Sequence, residues 1–362
     1  MKQLFKTLLV FLIVPMAIFA SENPKFKGKY TKTKTLKKEY VVNADASLLV
    51  DNSYGNVDIV TWNENRVVIE VVITTNGNDE SKVESKLSKI NVDFSGSANQ
   101  VSAKTTFGDR KSSSWSWWGK NNNIKMEVNY TIKLPIGNSV DLNNDYGGIS
   151  INELNGNARI DCDYGQLNLG QLNSENNYLS FDYSKNSTIG YMKNGKINAD
   201  YSSFVLEKVG DLELNADYTK SEVQHANRID YNNDYGKMIV GSVKDLVGNG
   251  DYIPLRLGTL TGSLEVDTDY GSITIETVTS SAGDINIESE YAGIKIGYES
   301  GYNFDFMIEL SYASLRGEDG LEILKQSKSN SRKSYSGYNG TKGSGNNINI
   351  SSQYGGVTLE RN

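Results

Sequence analysis

A short motif recurs along most of this chain at a nearly constant spacing, and it limits the possible folds more than any other feature. The motif is an aspartate, a tyrosine and a third, usually small, residue, and its tyrosines follow one another every 17 to 19 residues from Tyr146 to Tyr270. Self-similarity at a short fixed period is typical of repeat proteins, whose units stack on their neighbours. Looser copies occur at Tyr54, Tyr291, Tyr312 and Tyr354.

Apolar residues alternate with polar ones on both sides of each tyrosine. Around Tyr146 they are Leu142 before it, and Ile149, Ile151 and Leu154 after it. A period of two is typical of β-strands, and the change of parity across the motif requires a corner or bulge. A unit this small cannot bury its own apolar face. The sequence therefore predicts an all-β fold, a parallel β-solenoid with rungs of 17 to 21 residues.

The tyrosine rings are predicted to point into the core. The residue two positions earlier is mostly small and shares the parity of the tyrosine, which leaves room for an inward ring. Cys162 and Ala199 occupy this position in two rungs. The residue after the tyrosine is small in eleven of twelve copies, as a tight corner demands. The alternative is a surface ladder of rings that stacks on sugars.

The aspartates of the motif form a column of like charges if the rungs stack. Neighbours about 5 Å apart repel by roughly 1 kcal/mol even in water. One solution is a hydrogen bond from the next turn's backbone N–H to each carboxylate. The other is a column that binds Ca²⁺ through oxygen ligands, although no cofactor is required. The eight residues are Asp145, Asp163, Asp182, Asp200, Asp217, Asp234, Asp251 and Asp269.

The chain begins like an exported protein. Residues 1–20 combine two lysines with an apolar run that ends at Ala20, which predicts a secretory signal peptide. We expect the mature protein in the periplasm, on the outer-membrane surface or in the medium. A formal net charge of −7 argues against nucleic acid as a partner. One cysteine, Cys162, excludes an intramolecular disulfide.

The remaining sequence divides into unequal parts. Residues 21–40 hold seven lysines and are interpreted as a flexible arm that contacts solvent, a membrane surface or an acidic polysaccharide. The first rung and an N-terminal β cap occupy residues 41–139, with a short helix over Ser81–Leu87. The compact repeats cover residues 140–325. A low-complexity loop is predicted over 326–347, and a final rung over 348–362 that closes the C-terminal end.

An aromatic cluster interrupts the cap. Trp115, Trp117 and Trp118 lie in a polar, tryptophan-rich loop over residues 108–123. Exposed aromatic clusters in loops often mark interaction sites. The loop is therefore a candidate binding site, or alternatively a cover for the solenoid end.

Catalytic signals are weak. The chain has one histidine, His225, and shows no nucleophile elbow, zinc motif or phosphate loop. The aspartates are accounted for by the repeat. We therefore predict no enzyme activity.

Taken together, the pattern resembles the putative adhesin family of bacterial β-strand-repeat proteins, a domain of unknown function common in Bacteroidota. The export signal contributes to this resemblance. The matching segments are Tyr54 to Trp62, the strand that ends at Pro135, and the ladder that starts at Asp145. The resemblance implies a repeat fold and surface attachment, but no catalytic or binding residues.

Three functions follow as expectations. The first is a non-enzymatic, adhesin-like or scaffolding module of the cell envelope that binds glycan or protein. The second is a polysaccharide-active β-helix enzyme. The third is a periplasmic envelope-stress or assembly factor.

Overall fold

The computed structural model describes residues 26–108 and 124–362. The predicted signal peptide and the three tryptophans of the loop lie outside the described residues. Within them the protein is all-β, with 65% strand and 4% helix. The 27 described strands belong to one long, unclosed sheet. None of the helices in these ranges is long and apolar enough to cross a membrane.

The N-terminal region contains seven strands and the single α-helix of the described chain. Asp79 caps that helix, since its side chain accepts a hydrogen bond from the Lys82 N–H. The short helix predicted over Ser81–Leu87 is confirmed. The elements are β1 Tyr30–Val41, β2 Ser47–Ser53, β3 Val57–Trp62, β4 Arg66–Gly77, α1 Glu80–Lys89, β5 Ile90–Gly96, β6 Gln100–Phe107 and β7 Lys125–Pro135.

The central region consists of short strands that merge into long ones in its middle. They are β8 Ser139–Asp145, β9 Ile149–Leu154, β10 Ala158–Asp161, β11 Leu167–Leu172, β12 Asn177–Ser180, β13 Ser187–Asn198, β14 Ser203–Asn215, β15 Lys220–Asn232, β16 Lys237–Asn249, β17 Pro254–Leu260, β18 Leu264–Asp269, β19 Ser272–Val278, β20 Ile285–Glu290 and β21 Gly293–Tyr298. The C-terminal region adds β22 Phe304–Ser311, β23 Leu315–Arg316, a 3₁₀ turn Glu318–Gly320, β24 Glu322–Lys328, β25 Arg332–Asn339, β26 Asn347–Gln353 and β27 Val357–Arg361.

Central strands pair in parallel with strands one motif away. Ile160 lies opposite Leu142, and Ile197 lies opposite Leu214, so the register equals the sequence interval between motifs. Strands before the tyrosines form one series of pairings, here called the first ladder, from β2 through β8 and β10 to β20. Strands after the tyrosines form the second ladder, from β3 through β9 and β11 to β21.

The core lies between the two ladders and contains the predicted apolar positions. Between Tyr201 and Tyr218, for example, the buried apolar residues include Phe204, Leu206, Val209, Leu214 and Ala216. Each large side chain removed from water contributes about 1.5–3 kcal/mol. One contiguous apolar core therefore runs the length of the described chain.

The prediction of a flexible basic arm over residues 21–40 is wrong from Tyr30 onward. Residues 30–41 form β1, which pairs antiparallel with β4 over twelve residues. Lys32 bonds Glu80 and Glu84 of the helix. Composition suggested mobility, but alternating threonines and lysines suit an edge strand, whose lysines discourage pairing with other chains.

The prediction of a flexible loop over residues 326–347 is wrong for its first half. β24 and β25 form an antiparallel hairpin, and β25 pairs with β22. Tyr335, Gly337 and Asn339 are buried on one face of β25, so a period of two was present within the low-complexity sequence.

The last segment of the chain does not close the C-terminal end, so that prediction is also wrong. β26 pairs in parallel with β20 on one side and with β22 on the other. β27 lies in the same way between β21 and β23. The final rung is therefore inserted inside the ladders, and the hairpin of β24 and β25 forms the end.

We expect Ile350→Ala to lower the free energy of unfolding by about 2–5 kcal/mol, because it opens a cavity at a buried site. Ile350 lies between Ile287 and Ile308 of the neighbouring rungs. The matched control is Leu324→Ala, since Leu324 is 55% exposed on the hairpin. Urea denaturation checks both, and equal small losses would contradict the inserted position of the last rung.

Candidate functional site

Twelve tyrosines form one uninterrupted stack of rings. Adjacent ring centroids lie 4.7–5.2 Å apart, and the ring planes differ by only 2–9°. We call this surface the tyrosine ladder. In spatial order it consists of Tyr54, Tyr146, Tyr164, Tyr183, Tyr201, Tyr218, Tyr235, Tyr252, Tyr270, Tyr291, Tyr354 and Tyr312.

The prediction that these rings point inward is wrong. From Tyr146 onward the ladder tyrosines are 46–65% exposed. Each ladder tyrosine has a positive φ, between 51° and 67°, which is the left-handed region. Because this backbone turn falls on the tyrosine itself, it breaks the alternation of side-chain directions there. The small residues two positions earlier, such as Cys162 and Ala199, do point inward as predicted.

The residue after the tyrosine is small because the rungs approach closely at the corner. A Cβ added at Gly165 would lie 2.1 Å from the Gly147 carbonyl oxygen. Where a hydroxyl residue replaces glycine, it bonds the neighbouring backbone: Ser202 Oγ donates to the Phe181 carbonyl at 3.1 Å. The corner thus tolerates small or hydrogen-bonding side chains.

A tyrosine in the left-handed region is locally unfavourable. The conformation costs an L-residue roughly 1–2 kcal/mol, and glycine or asparagine is usual there. Ring stacking returns about 0.5–1.5 kcal/mol per pair beyond area burial. Each tyrosine inside the stack has two such neighbours, so stacking offsets the cost of the left-handed backbone.

The ladder exposes the edges of its rings. Their faces stack on one another, and Phe107 contacts Tyr54 edge-on at 5.9 Å at the N-terminal end. A sugar therefore has little access to the ring faces along the ladder. What the ladder offers instead is a ribbon of aromatic edges and phenol hydroxyls at intervals of about 5 Å.

Seven of the eight motif aspartates, from Asp163 to Asp269, bond from rung to rung, as the hydrogen-bonding alternative predicted. Oδ1 of Asp163 accepts from the Asp182 N–H at 3.0 Å, and Oδ1 of Asp182 accepts from the Asp200 N–H at 3.0 Å. The series continues without interruption to Asp269, which accepts from the Glu290 N–H. Bonds to charged acceptors are strong and offset the repulsion between neighbouring carboxylates.

Two carboxyls in this column have raised pKa values. Partial burial raises the pKa of Asp145 above its usual value, and the nearby charges of Asp163 and Asp161 add to this effect. Partial burial also raises the pKa of Asp182, although the Asp200 N–H opposes the shift. Elsewhere, the backbone N–H of Ser263 lowers the pKa of Asp245.

Calcium binding by the column stays a prediction. In the described part of the chain, no group of three or more acidic, histidine or cysteine side chains is gathered to hold a metal ion. Calcium takes six to eight oxygen ligands, whereas Oδ1 of seven of the eight motif aspartates already accepts a backbone bond. Melting with EDTA and with millimolar calcium tests it.

Other reactive side chains lie apart from the ladder. Burial raises the pKa of the Cys162 thiol to about 12, so it stays protonated and unreactive at neutral pH. His225 is exposed on β15, and its Nδ1 lies 2.8 Å from Ser242 Oγ. Among the described residues no carboxylate bonds the imidazole, so the acid of a Ser/His/Asp triad is not in place.

The exposure of the tyrosine rings was not predicted from the sequence. The parity switch was visible, but the corner was assigned to the small residue after each tyrosine. The signal for the correct assignment was the invariant position of the tyrosine between two strands of opposite parity.

The chain is similar to several solved structures at low identity. One is a putative adhesin from Parabacteroides distasonis, with 11% identity, a TM-score of 0.36, and coverage of 91% of this chain and 97% of that chain. Another is a putative adhesin from Bacteroides fragilis, with 10% identity, a TM-score of 0.31, and the same coverage of both chains. A putative cell adhesion protein from Clostridium sporogenes has 11% identity and a TM-score of 0.18, with coverage of 91% and 100%. No protein-family model and no curated protein matches. At this level the likenesses assign no function.

Exchanging one ladder tyrosine separates ring stacking from backbone strain. Tyr218→Ala removes two stacked contacts and keeps the left-handed cost, whereas Tyr218→Gly removes the same contacts and relieves that cost. We expect the glycine variant to be more stable than the alanine variant by about 1 kcal/mol. Urea denaturation measures the difference, and an alanine variant as stable as the glycine variant would contradict the strained corner.

The raised and lowered carboxyl pKa values predict opposite pH dependences. The stability contribution of Asp182 is full below the pKa of an unfolded aspartate, about 3.9, and is lost as the pH rises through the higher folded value. The contribution of Asp245 is present above about 3.9 and is lost as the pH falls through the lower folded value. Carboxyl-carbon NMR should find Asp182 titrating above Asp245. The reverse order would refute the assigned environments, and Asp182→Asn and Asp245→Asn identify the signals.

Proposed function

We propose that this chain is a non-enzymatic, adhesin-like or scaffolding β-solenoid of the cell envelope. In this proposal the chain coils once per motif, and each turn adds one strand to each of the two ladders. The protein is exported, and its partner is a glycan or a protein. The observation that carries the proposal is the continuous, solvent-exposed tyrosine ladder with its parallel column of aspartates.

The ladder suits a long polymer better than a compact ligand. It repeats the same phenol at nearly equal intervals over eleven spacings, from Tyr54 to Tyr312. A carboxylate precedes each tyrosine from Tyr146 to Tyr291 along this stretch. Each rung alone would bind weakly. Contacts made by successive units of one polymer add through effective concentration, so an extended partner gains affinity with length.

Charge and hydrogen-bonding capacity favour a neutral glycan along this surface. The aspartate column repels anionic polymers and a second copy of itself. The phenol hydroxyls both donate and accept hydrogen bonds, and the carboxylates accept them. Sugar hydroxyls match both groups.

The tryptophan loop supplies a second proposed contact. Trp115, Trp117 and Trp118 belong to the connection between β6 and β7. Phe107, the last residue of β6, contacts the first ring of the tyrosine ladder. A polymer that follows the ladder to this end would meet the start of that connection.

Binding by the ladder is tested with the triple variant Tyr218→Asn, Tyr235→Asn and Tyr252→Asn. Asparagine tolerates the left-handed region, so the backbone is kept while three rings are removed. On an array of neutral and acidic polysaccharides, we expect the native protein to retain a neutral polymer and the variant to lose at least tenfold in affinity. Undiminished binding would exclude the ladder as the contact surface.

A second triple variant tests the loop in the same assay. Trp115→Ala, Trp117→Ala and Trp118→Ala should weaken binding without changing the melting temperature. If this variant alone loses binding, the loop is the contact and the ladder is structural.

Exposure on the cell is tested by protease treatment of intact cells followed by blotting. Loss of the protein would support attachment at the surface. Full protection until the outer membrane is opened would refute an external adhesin and favour a periplasmic scaffold.

A further inference from the structure

A cleft on the second ladder brings together cationic residues of an otherwise acidic chain. It has a volume of about 350 Å³, lies over strands β13 to β16, and reaches Thr261, the residue after β17. Its central row is fixed by the strand register: Tyr191 pairs with Lys208, Lys208 with His225, and His225 with Ser242. The four neighbouring side chains of this row all differ, whereas every position of the tyrosine ladder carries the same residue.

The floor of the cleft is apolar. Val209, Ala226 and Val243 occupy successive rungs, and Gly210 adds no side chain. Val209 and Val243 are buried. Because those two side chains belong to the core, only the half-buried Ala226 and the backbone at Gly210 present apolar surface to a ligand, and the rim residues supply the polar groups.

The rim carries Lys208, Lys244 and His225, together with hydrogen-bonding groups of Tyr191, Ser242 and Asn227. Two carboxylates lie nearby. Asp245 is 3.5 Å from the Lys244 ammonium, and Asp211 accepts a hydrogen bond from the Asn227 amide at 2.8 Å. Lys208 forms no ion pair within the described residues. The rim therefore keeps at least one uncompensated cation.

His225 can respond to an anion in the cleft. Its Nδ1 is paired with Ser242 Oγ at 2.8 Å, whichever of the two donates. Its Nε2 has no hydrogen-bond partner among the described residues. When Ser242 donates to Nδ1, Nε2 carries the hydrogen and is available to donate to an anion in the cleft.

We propose that this cleft binds a carboxylate-bearing sugar, a hexuronate, with the ring over Gly210 and Ala226 and the carboxylate between Lys208 and His225. Ser242 and Asn227 are placed to bond ring hydroxyls. The site is separate from the tyrosine ladder and goes beyond the proposed function. It is a ligand site, and no bond is made or broken in it.

The test uses the single histidine as a probe. The imidazole signals of the native protein are followed by NMR while sodium glucuronate is added, with glucose and sodium acetate as controls. We expect glucuronate to shift the signals of His225. Glucose and acetate should cause at most a tenth of the effect at equal concentration.

Two lysine variants complete the test. Lys208→Ala should abolish the response, whereas Lys237→Ala, also on the second ladder but outside the cleft, should leave it unchanged. No shift with glucuronate, or an equal shift with acetate, would overturn the proposal. Loss of the response in both Lys208→Ala and Lys237→Ala would also overturn the proposal. The triple asparagine variant of the ladder should respond like the native protein, so this site and the ladder can fail separately.

Discussion

The backbone hydrogen bond that joins each corner tyrosine to the next rung is the interaction on which the structure depends. The N–H of Tyr146 donates to the Asp163 carbonyl at 2.9 Å, and the N–H of Tyr164 donates to the Asp182 carbonyl at 3.0 Å. These bonds hold consecutive corners in register. With the tyrosine backbone in the left-handed region, they also fix the direction in which each ring leaves the chain. Ring stacking and the aspartate bonds both follow from that register.

Repetition makes two unfavourable features tolerable. A lone tyrosine at positive φ and a lone row of carboxylates would each be costly. In a stack, each tyrosine gains a ring on either side, and Asp182, for example, gains the N–H of Asp200. The benefit depends on neighbours being present, so the regular rungs stabilise one another, and the two ends need different solutions.

The ends are closed by antiparallel pairings in place of further rungs. At the N-terminus, β4 pairs with β7 and β1 pairs with β4, which leaves a lysine-bearing edge. At the C-terminus, β25 pairs with β22, and β24 with β25. The last two strands of the sequence are inserted one rung earlier. At both ends the outermost strand lacks the tyrosine motif. This disfavours pairing of that strand with another copy of the chain.

The sequence by itself determined the all-β class and the core positions, because these depend on a local period of two. For the aspartates it left two solutions open. It did not determine the direction of the tyrosines, since a single backbone angle at Tyr146 or Tyr218 reverses what alternation implies. Only the tertiary structure placed Ile350 between Ile287 and Ile308, and gathered Lys208, His225 and Ser242 over one cleft. Both results depend on which strands become neighbours, and that choice is made by packing over the whole chain.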